Sequence, residues 1–221
     1  MKSVESVWNV WKRGSRKLRA AAMAFAAVAL VSCGSAPRPN YYTLRVPAAP
    51  AAHDPKAAAV LGVERLNAPD VLRNDRILYY ESPTQLNFYE NHRWSSDPSS
   101  MVRDSLVSQL SQAGVFSEVR LLPARDPVDY LLRGRLLNFE EVDYEGGAKG
   151  RVRLELTLVC VRDHKVLWSD ARQAQVPAQG KEVAGVVEAV NAASDQVLQE
   201  LVPALLAQAT QDIQHGVKTS P

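Results

Sequence analysis

The sequence predicts a single α/β domain in which helices pack on one mixed β-sheet. Residues 151–161 alternate apolar and polar side chains, as a half-buried strand does. Residues 98–113 repeat apolar side chains at intervals of three and four, and a second stretch of this kind begins near Glu182. Two core-facing helices and about seven strands on one core indicate an α/β layer architecture.

The chain begins with a leader that resembles a signal peptide. Residues 1–19 hold six basic residues and one acidic residue, and residues 20–31 carry no charge. This apolar run would extend about 18 Å as a helix, whereas a membrane span needs about 20 residues. Residues 30–34 read Leu-Val-Ser-Cys-Gly, the pattern of a bacterial lipobox. We therefore predict a signal peptide over residues 1–32, cleavage between Ser32 and Cys33, and lipidation of Cys33.

Two alternatives to this reading of the leader stay open. An uncleaved amphipathic anchor would use the same residues, and the true start could lie after Met1.

Gly34 follows the cysteine, where aspartate would be the inner-membrane retention mark. The sequence therefore favours an outer membrane location, with acyl chains such as palmitate on Cys33 as the anchor.

Composition excludes several classes of protein. Removing residues 1–32 leaves 221 − 32 = 189 residues, enough for one sizeable core. The whole chain has a net charge of +2 and the leader +5, so the mature part carries 2 − 5 = −3. With this net negative charge, the mature part shows no basic surface of the kind that binds nucleic acid. Cys160 has no partner cysteine once Cys33 is acylated, so no disulfide is expected.

The first half of the mature chain reads as a tether followed by strands. Residues 33–40 form the lipidated tether, and strands are predicted at residues 41–45, 57–66, 76–81 and 85–89, with a short helical turn at 71–73. Asp97 is a candidate N-cap for the helix over residues 98–113, because Pro98 suits its first position and Gly114 its end.

The second half reads as strands followed by a helix. Strands are predicted at residues 115–122, 129–144, 151–161 and 166–176, with turns at Gly146 and around His164. A helix over residues 182–201 should break or kink at Pro203, with a further helical piece to residue 213. The predicted domain is therefore 41–213, followed by a disordered tail at 214–221.

Residues capable of catalysis are few. The four histidines fall in predicted turns, linkers or the tail, so no metal site or cofactor is predicted; they are His53, His92, His164 and His215. Cys160 shares a face with aliphatic residues and reads as an inert buried thiol. The acidic run Glu140, Glu141, Asp143 and Glu145 leaves open a carboxylate pair for hydrolysis, although a solvated strand end is the ordinary explanation.

Aromatic residues around the predicted hairpin form the candidate partner-binding surface. We assign Tyr42, Tyr79, Tyr89 and Trp94 to it, because aromatic residues are enriched at the centre of protein interfaces. Alternation places Tyr79 and Tyr80 on opposite faces, so at least one of them should lie outside the core. Packing within the core is the alternative explanation for the cluster.

Three stretches together resemble a known family. They are Tyr41-Tyr42-Thr43-Leu44 soon after the lipobox, Leu72 with residues 76–80, and residues 86–94 leading into the Pro98 helix. This order is similar to the auxiliary lipoproteins of ABC-type transport systems, the group that accompanies MCE-domain lipid transporters and includes the paraquat-inducible C lipoprotein. The resemblance covers essentially the whole mature chain.

The resemblance implies a non-enzymatic outer-membrane lipoprotein that faces the periplasm. Its fold would be the anticodon-binding-like layer fold of the TolB amino-terminal domain. Its partner would be the MCE-domain protein of a phospholipid transporter, which it would dock at the outer membrane; a homo-oligomer is left open. The alternative is a structural or assembly lipoprotein of the envelope with no part in transport.

Overall fold

The structure is a computed structural model that describes residues 38–45, 59–144, 146–180 and 182–219, with backbone alone over 216–219. The predicted signal peptide, Cys33, His53, Glu145 and the last two residues lie outside these ranges. The strands are β1 Asn40–Tyr42, β2 Val60–Val63, β3 Arg76–Ser82, β4 Gln85–Trp94, β5 Glu118–Leu121, β6 Tyr130–Val142, β7 Lys149–Cys160 and β8 Val166–Pro177. The helices are α1 Pro98–Gln112 and α2 Val183–Thr219, with a 3₁₀ turn at Asp70–Leu72.

Strand β6 divides the sheet. One edge of β6 pairs antiparallel with β7 along its length, and β8 follows β7. The other edge is shared, because β2 pairs parallel with its first residues and β3 pairs parallel with Glu141 and Val142. Strand β5 extends the sheet beyond β2, whereas β4 and then β1 extend it beyond β3. The eight strands thus form the mixed sheet that the sequence predicts.

The core lies between one face of the sheet and the two helices. Val152, Leu154, Leu156 and Leu158 of β7 are buried at 0–1% exposure, which confirms the predicted alternation. Helix α2 crosses β7 at Gly150, where an added Cβ would lie 2.3 Å from the backbone nitrogen of Val190. The absence of a side chain at Gly150 therefore permits this close approach.

Helix α1 begins and ends as predicted. The Asp97 carboxylate accepts a hydrogen bond of 3.0 Å from the backbone nitrogen of Ser100, and Pro98 occupies the first turn. Gly114 follows with φ of 69°, the left-handed conformation of a residue just past a helix end.

Helix α2 continues through Pro203 to Thr219, so a break at Pro203, one of the two predicted outcomes, is wrong. Pro203 is exposed, whereas Leu201, Val202, Leu205 and Leu206 on either side are buried. The missing N–H therefore falls on the solvent side, and the buried stripe holds both halves to the sheet. The helix includes residues 214–219, which the sequence assigns to the tail.

Candidate functional site

Three of the four predicted surface aromatics form one cluster with His92, which we call the aromatic cluster (Tyr42, Tyr79, Tyr89 and His92). The Tyr42 hydroxyl lies 2.9 Å from Nδ1 of His92, and their rings stack at 5.8 Å between centroids. The Tyr89 ring meets His92 edge-on at 6.0 Å and lies 4.8 Å from the Tyr79 ring. All four side chains are half-buried, so each keeps part of its surface for a partner.

Strand pairing brings the cluster together. β1 lies parallel to β4 with Asn40 opposite His92 and Tyr42 opposite Trp94, which puts Tyr42 on the side of the sheet that His92 occupies. β3 and β4 form a hairpin with a register shift, which lets Tyr89 reach the ring of Tyr79. The pairing of β1 with β4 joins residues 52 positions apart, so no local pattern indicates it.

Trp94 lies in the core, so its assignment to the partner-binding surface is wrong. It is 1% exposed and packs edge-on against Phe139, with 5.1 Å between the ring centroids. Strand β4 runs past the predicted end at Tyr89 to Trp94, and the next residue, Ser95, contacts Met101 of helix α1.

Carboxylates surround the aromatic cluster. The Tyr89 hydroxyl donates a 2.6 Å hydrogen bond to Glu141, which is 4% exposed. Burial raises the pKa of Glu141, and burial together with Glu141 raises the pKa of Tyr89. Burial also raises the pKa of Tyr79, with further contributions from Glu81, Glu141 and Glu90. This side of the β1–β4–β3 part of the sheet is therefore acidic.

Glu140 and Glu141 do not form a carboxylate pair. They are neighbours in β6, so their side chains lie on opposite faces of the sheet. Glu140 accepts hydrogen bonds from Nε of Arg151 at 2.7 Å, from Asn138 at 2.8 Å and from the Phe139 amide at 2.6 Å. Burial raises the pKa of Glu140, and the contacts with Arg151 oppose that increase. The arrangement fits an internal ion pair and lacks the facing carboxylates of the hydrolase hypothesis.

Sequence reasoning missed a polar groove of about 580 Å³ on the sheet face away from the helices. Arg133 and Arg135 line it, with Thr157 and Ser169 joined at 2.9 Å between their hydroxyls. Arg133 pairs with Glu64 at 3.4 Å, and Arg135 with Glu155 at 3.4 Å. Because each arginine faces a carboxylate, the groove is electrically balanced. The alternating polar residues of β6 and β7 are the signal that could have located it.

The remaining candidates do not converge on a reactive site. His164 sits in a turn with φ of 58°, and His215 is exposed on α2. Cys160 is buried at 5% exposure, as predicted. Within the described ranges no group of histidine, cysteine, aspartate and glutamate side chains has a metal-binding arrangement. Neither described helix is long and apolar enough to span a membrane.

Solved structures share this fold. Protein XCC0632 from Xanthomonas campestris, of family DUF330, is 25% identical with a TM-score of 0.71; the match covers 79% of this chain and 99% of that one. An uncharacterized protein is 18% identical with a TM-score of 0.56, covering 80% and 99% of the two chains, and this likeness concerns the fold alone. No curated protein sequence matches the chain.

A sequence model of a protein family also matches the chain. The model for the ABC-type transport auxiliary lipoprotein component matches residues 42–202. The match begins at Tyr42 of the aromatic cluster and ends within α2, so it takes in seven of the eight strands whole. The members of this family are auxiliary lipoprotein components of transport systems, which indicates a membrane-anchored protein of the cell envelope. The chain therefore belongs to the family of ABC-type transport auxiliary lipoprotein components.

Proposed function

We propose that this protein is a lipoprotein of the outer membrane that faces the periplasm and docks an MCE-domain lipid transporter there, without catalysing a reaction. The observation that carries the proposal is the family match over residues 42–202, only nine positions after a lipobox cysteine. Acylated Cys33 would hold the domain at the membrane.

The aromatic cluster is the proposed docking surface. Tyr42, Tyr79 and Tyr89 are half-buried, a degree of burial that fixes the rings and leaves contact area free. The nearby Glu81 and Glu90 favour a partner segment with basic residues beside its apolar ones.

The anchor is tested with Cys33→Ala in the native cell. We expect an unprocessed precursor that is lost from the outer membrane fraction, measured by mass and by fractionation. Crosslinking should capture an MCE-domain protein with the unsubstituted chain and much less with the variant. Maturation of Cys33→Ala to the normal mass in the outer membrane would contradict the anchor.

The docking surface is tested by the same crosslinking with Tyr79→Ala. A residue at the centre of an interface contributes about 2 kcal/mol or more, so capture should fall roughly thirtyfold. Leu121→Ala is the matched control, because Leu121 is 44% exposed on the distant strand β5. Equal capture by the two variants would exclude the cluster as the docking surface. Capture of an envelope assembly protein and no transporter component would favour a structural lipoprotein.

A further inference from the structure

The β1–β4–β3 part of the sheet has a second side, opposite the aromatic cluster. Tyr41 of β1 is paired with Arg93 of β4, and Arg93 is paired with Arg76 of β3. Directly paired residues project to the same side, so these three side chains form one row across the strands. The guanidinium of Arg76 lies 3.8 Å above the ring of Phe88, which adds this residue to the row. We call this set the arginine–aromatic face (Tyr41, Arg76, Phe88 and Arg93).

Two aromatic side chains on this face are unusually exposed. Tyr41 is 62% exposed and Phe88 44%. Folding gains little from either ring in this state, because most of the apolar area stays in water. Aromatic rings beside arginines are the side chains that settle at the boundary between lipid headgroups and acyl chains.

The charges of the two sides differ. On the aromatic-cluster side, Glu81, Glu90 and Glu141 all lie close enough to raise the pKa of Tyr79. On the arginine–aromatic face, Arg93 pairs with Asp75 at 3.0 Å, and Arg76 makes no ion pair with any residue in the described part of the chain. The face is thus the more positive side, and phosphate groups complement it.

The position of the lipid attachment point indicates that the partner of the arginine–aromatic face is a membrane. Tyr41 is eight residues after Cys33, and an extended chain reaches at most about 3.5 Å per residue, so the lipid lies within about 28 Å of Tyr41. Neighbouring strands lie about 4.8 Å apart, which puts β3 only about 10 Å further across the sheet. The whole face is therefore held within reach of the membrane that contains the acyl chains.

We infer that the arginine–aromatic face lies on the phospholipid surface of the anchoring membrane, with Tyr41 and Phe88 at the headgroup boundary and Arg76 and Arg93 on lipid phosphates. The inference rests on the proposed lipidation of Cys33 and adds a fixed orientation of the domain. The aromatic cluster, on the opposite side, then points away from the membrane and stays available to a protein partner.

The test uses the full lipidated protein in vesicles of phosphatidylethanolamine and phosphatidylglycerol. Tyr41→Cys and Phe88→Cys each carry a fluorescent label, and some of the lipids carry a quenching nitroxide near the headgroup. Val166→Cys and Leu121→Cys are the matched controls, because Val166 is 57% and Leu121 44% exposed on the other strands at the edges of the sheet. Signal from Cys160 is subtracted with the unsubstituted protein.

We expect quenching at Tyr41 and Phe88 at least about twofold stronger than at the controls, because interfacial side chains sit about 5–10 Å into the headgroup boundary. Adding Arg76→Glu should reduce it, whereas Arg133→Glu, in the polar groove, should leave it unchanged. Equal quenching at all four positions would overturn the inference while leaving the anchor intact. Quenching that appears only at a high density of protein on the vesicles would assign the face to a second copy of the chain, which would also overturn the inference. If the mature protein does not have the mass expected for acylated Cys33, the proposed anchor and this inference are both wrong.

Discussion

Arg151 neutralises a carboxylate that is almost fully enclosed by the protein. Its own side chain is 17% exposed, and that of Glu140 is 3% exposed. Removing one partner of a buried pair leaves a buried charge without compensation, which costs more than the pair itself contributes.

Arg151→Met should therefore lower the free energy of unfolding by about 3–5 kcal/mol. Urea unfolding measures this loss. The double variant Arg151→Met with Glu140→Gln should recover most of it, because Gln still accepts the amide hydrogen bond without a charge. If the double variant is as unstable as the single one, the loss comes from packing.

Glu141 supplies a pH dependence of stability. Because burial raises its pKa in the folded state, the folded protein holds this proton more tightly than the unfolded chain does. The contribution of Glu141 to stability is therefore complete below the ordinary glutamate pKa. It falls as the pH rises through the raised value.

Glu141→Gln should be increasingly stable relative to the unsubstituted protein as the pH rises from 4 towards 8. Gln retains an oxygen for the Tyr89 hydroxyl and never ionises. Urea unfolding across this range measures the difference, in which the other carboxylates cancel. A difference that does not change with pH would show that Glu141 titrates normally.

At the scale of elements, the crossing of α2 over β7 depends on Gly150. A Cβ there would lie 2.3 Å from Val190 N and 2.4 Å from the carbonyl carbon of Ala189, and helix backbone cannot rotate aside. At Gly134 the nearest atoms are instead the methyl ends of Leu66 and Leu156, at 2.6 and 2.8 Å.

Gly150→Ala should destabilise the fold by about 1–3 kcal/mol, as overpacking of a core does. Gly134→Ala should cost less, because leucine side chains can repack. Thermal unfolding of the two variants compares them directly. The reverse order would show that α2 shifts over β7 more easily than the leucines move.

Elements with a local signal could be predicted from sequence, and those set by distant contacts could not. Helix α1 has its cap, stripe and terminal glycine within eighteen residues, and β7 has its own alternation. Strand β4, predicted over residues 85–89, instead runs to Trp94, and its last three residues pair with β1. The same pairing brings Tyr42 to His92, whereas Tyr79 and Tyr89 meet through the β3–β4 hairpin. At Pro203 a strong local signal predicts an interruption of the helix. The buried stripe of α2 outweighs that signal, and the helix continues.

At the scale of the whole molecule, the chain that leaves β1 is fastened to α2. The Arg45 amide donates a 2.6 Å hydrogen bond to Oδ1 of Asn191, and the Arg45 guanidinium pairs with Glu188. Leu44, just before it, is 6% exposed in the core. These contacts join the chain just after β1 to the last helix.

Asn191→Ala should loosen this attachment by about 1 kcal/mol, the usual contribution of one hydrogen bond. Hydrogen exchange should accelerate at the amides of residues 41–45 and remain slow in β7. Ser194→Ala is the control, because its hydroxyl bonds only to the Val190 carbonyl within α2, at 2.8 Å. Equal acceleration in both variants would mean that α2 as a whole has loosened.

The fastening of Arg45 has a mechanical consequence for a protein held at one end. A pull on the N-terminal side first reaches β1, a strand of three residues with a single neighbouring strand, which offers little resistance to peeling. The load then meets Leu44 and Arg45, which pass it to a helix of 37 residues that spans β6, β7 and β8. Force applied through the anchor is thereby spread over the core, and an edge strand can open without the domain unfolding.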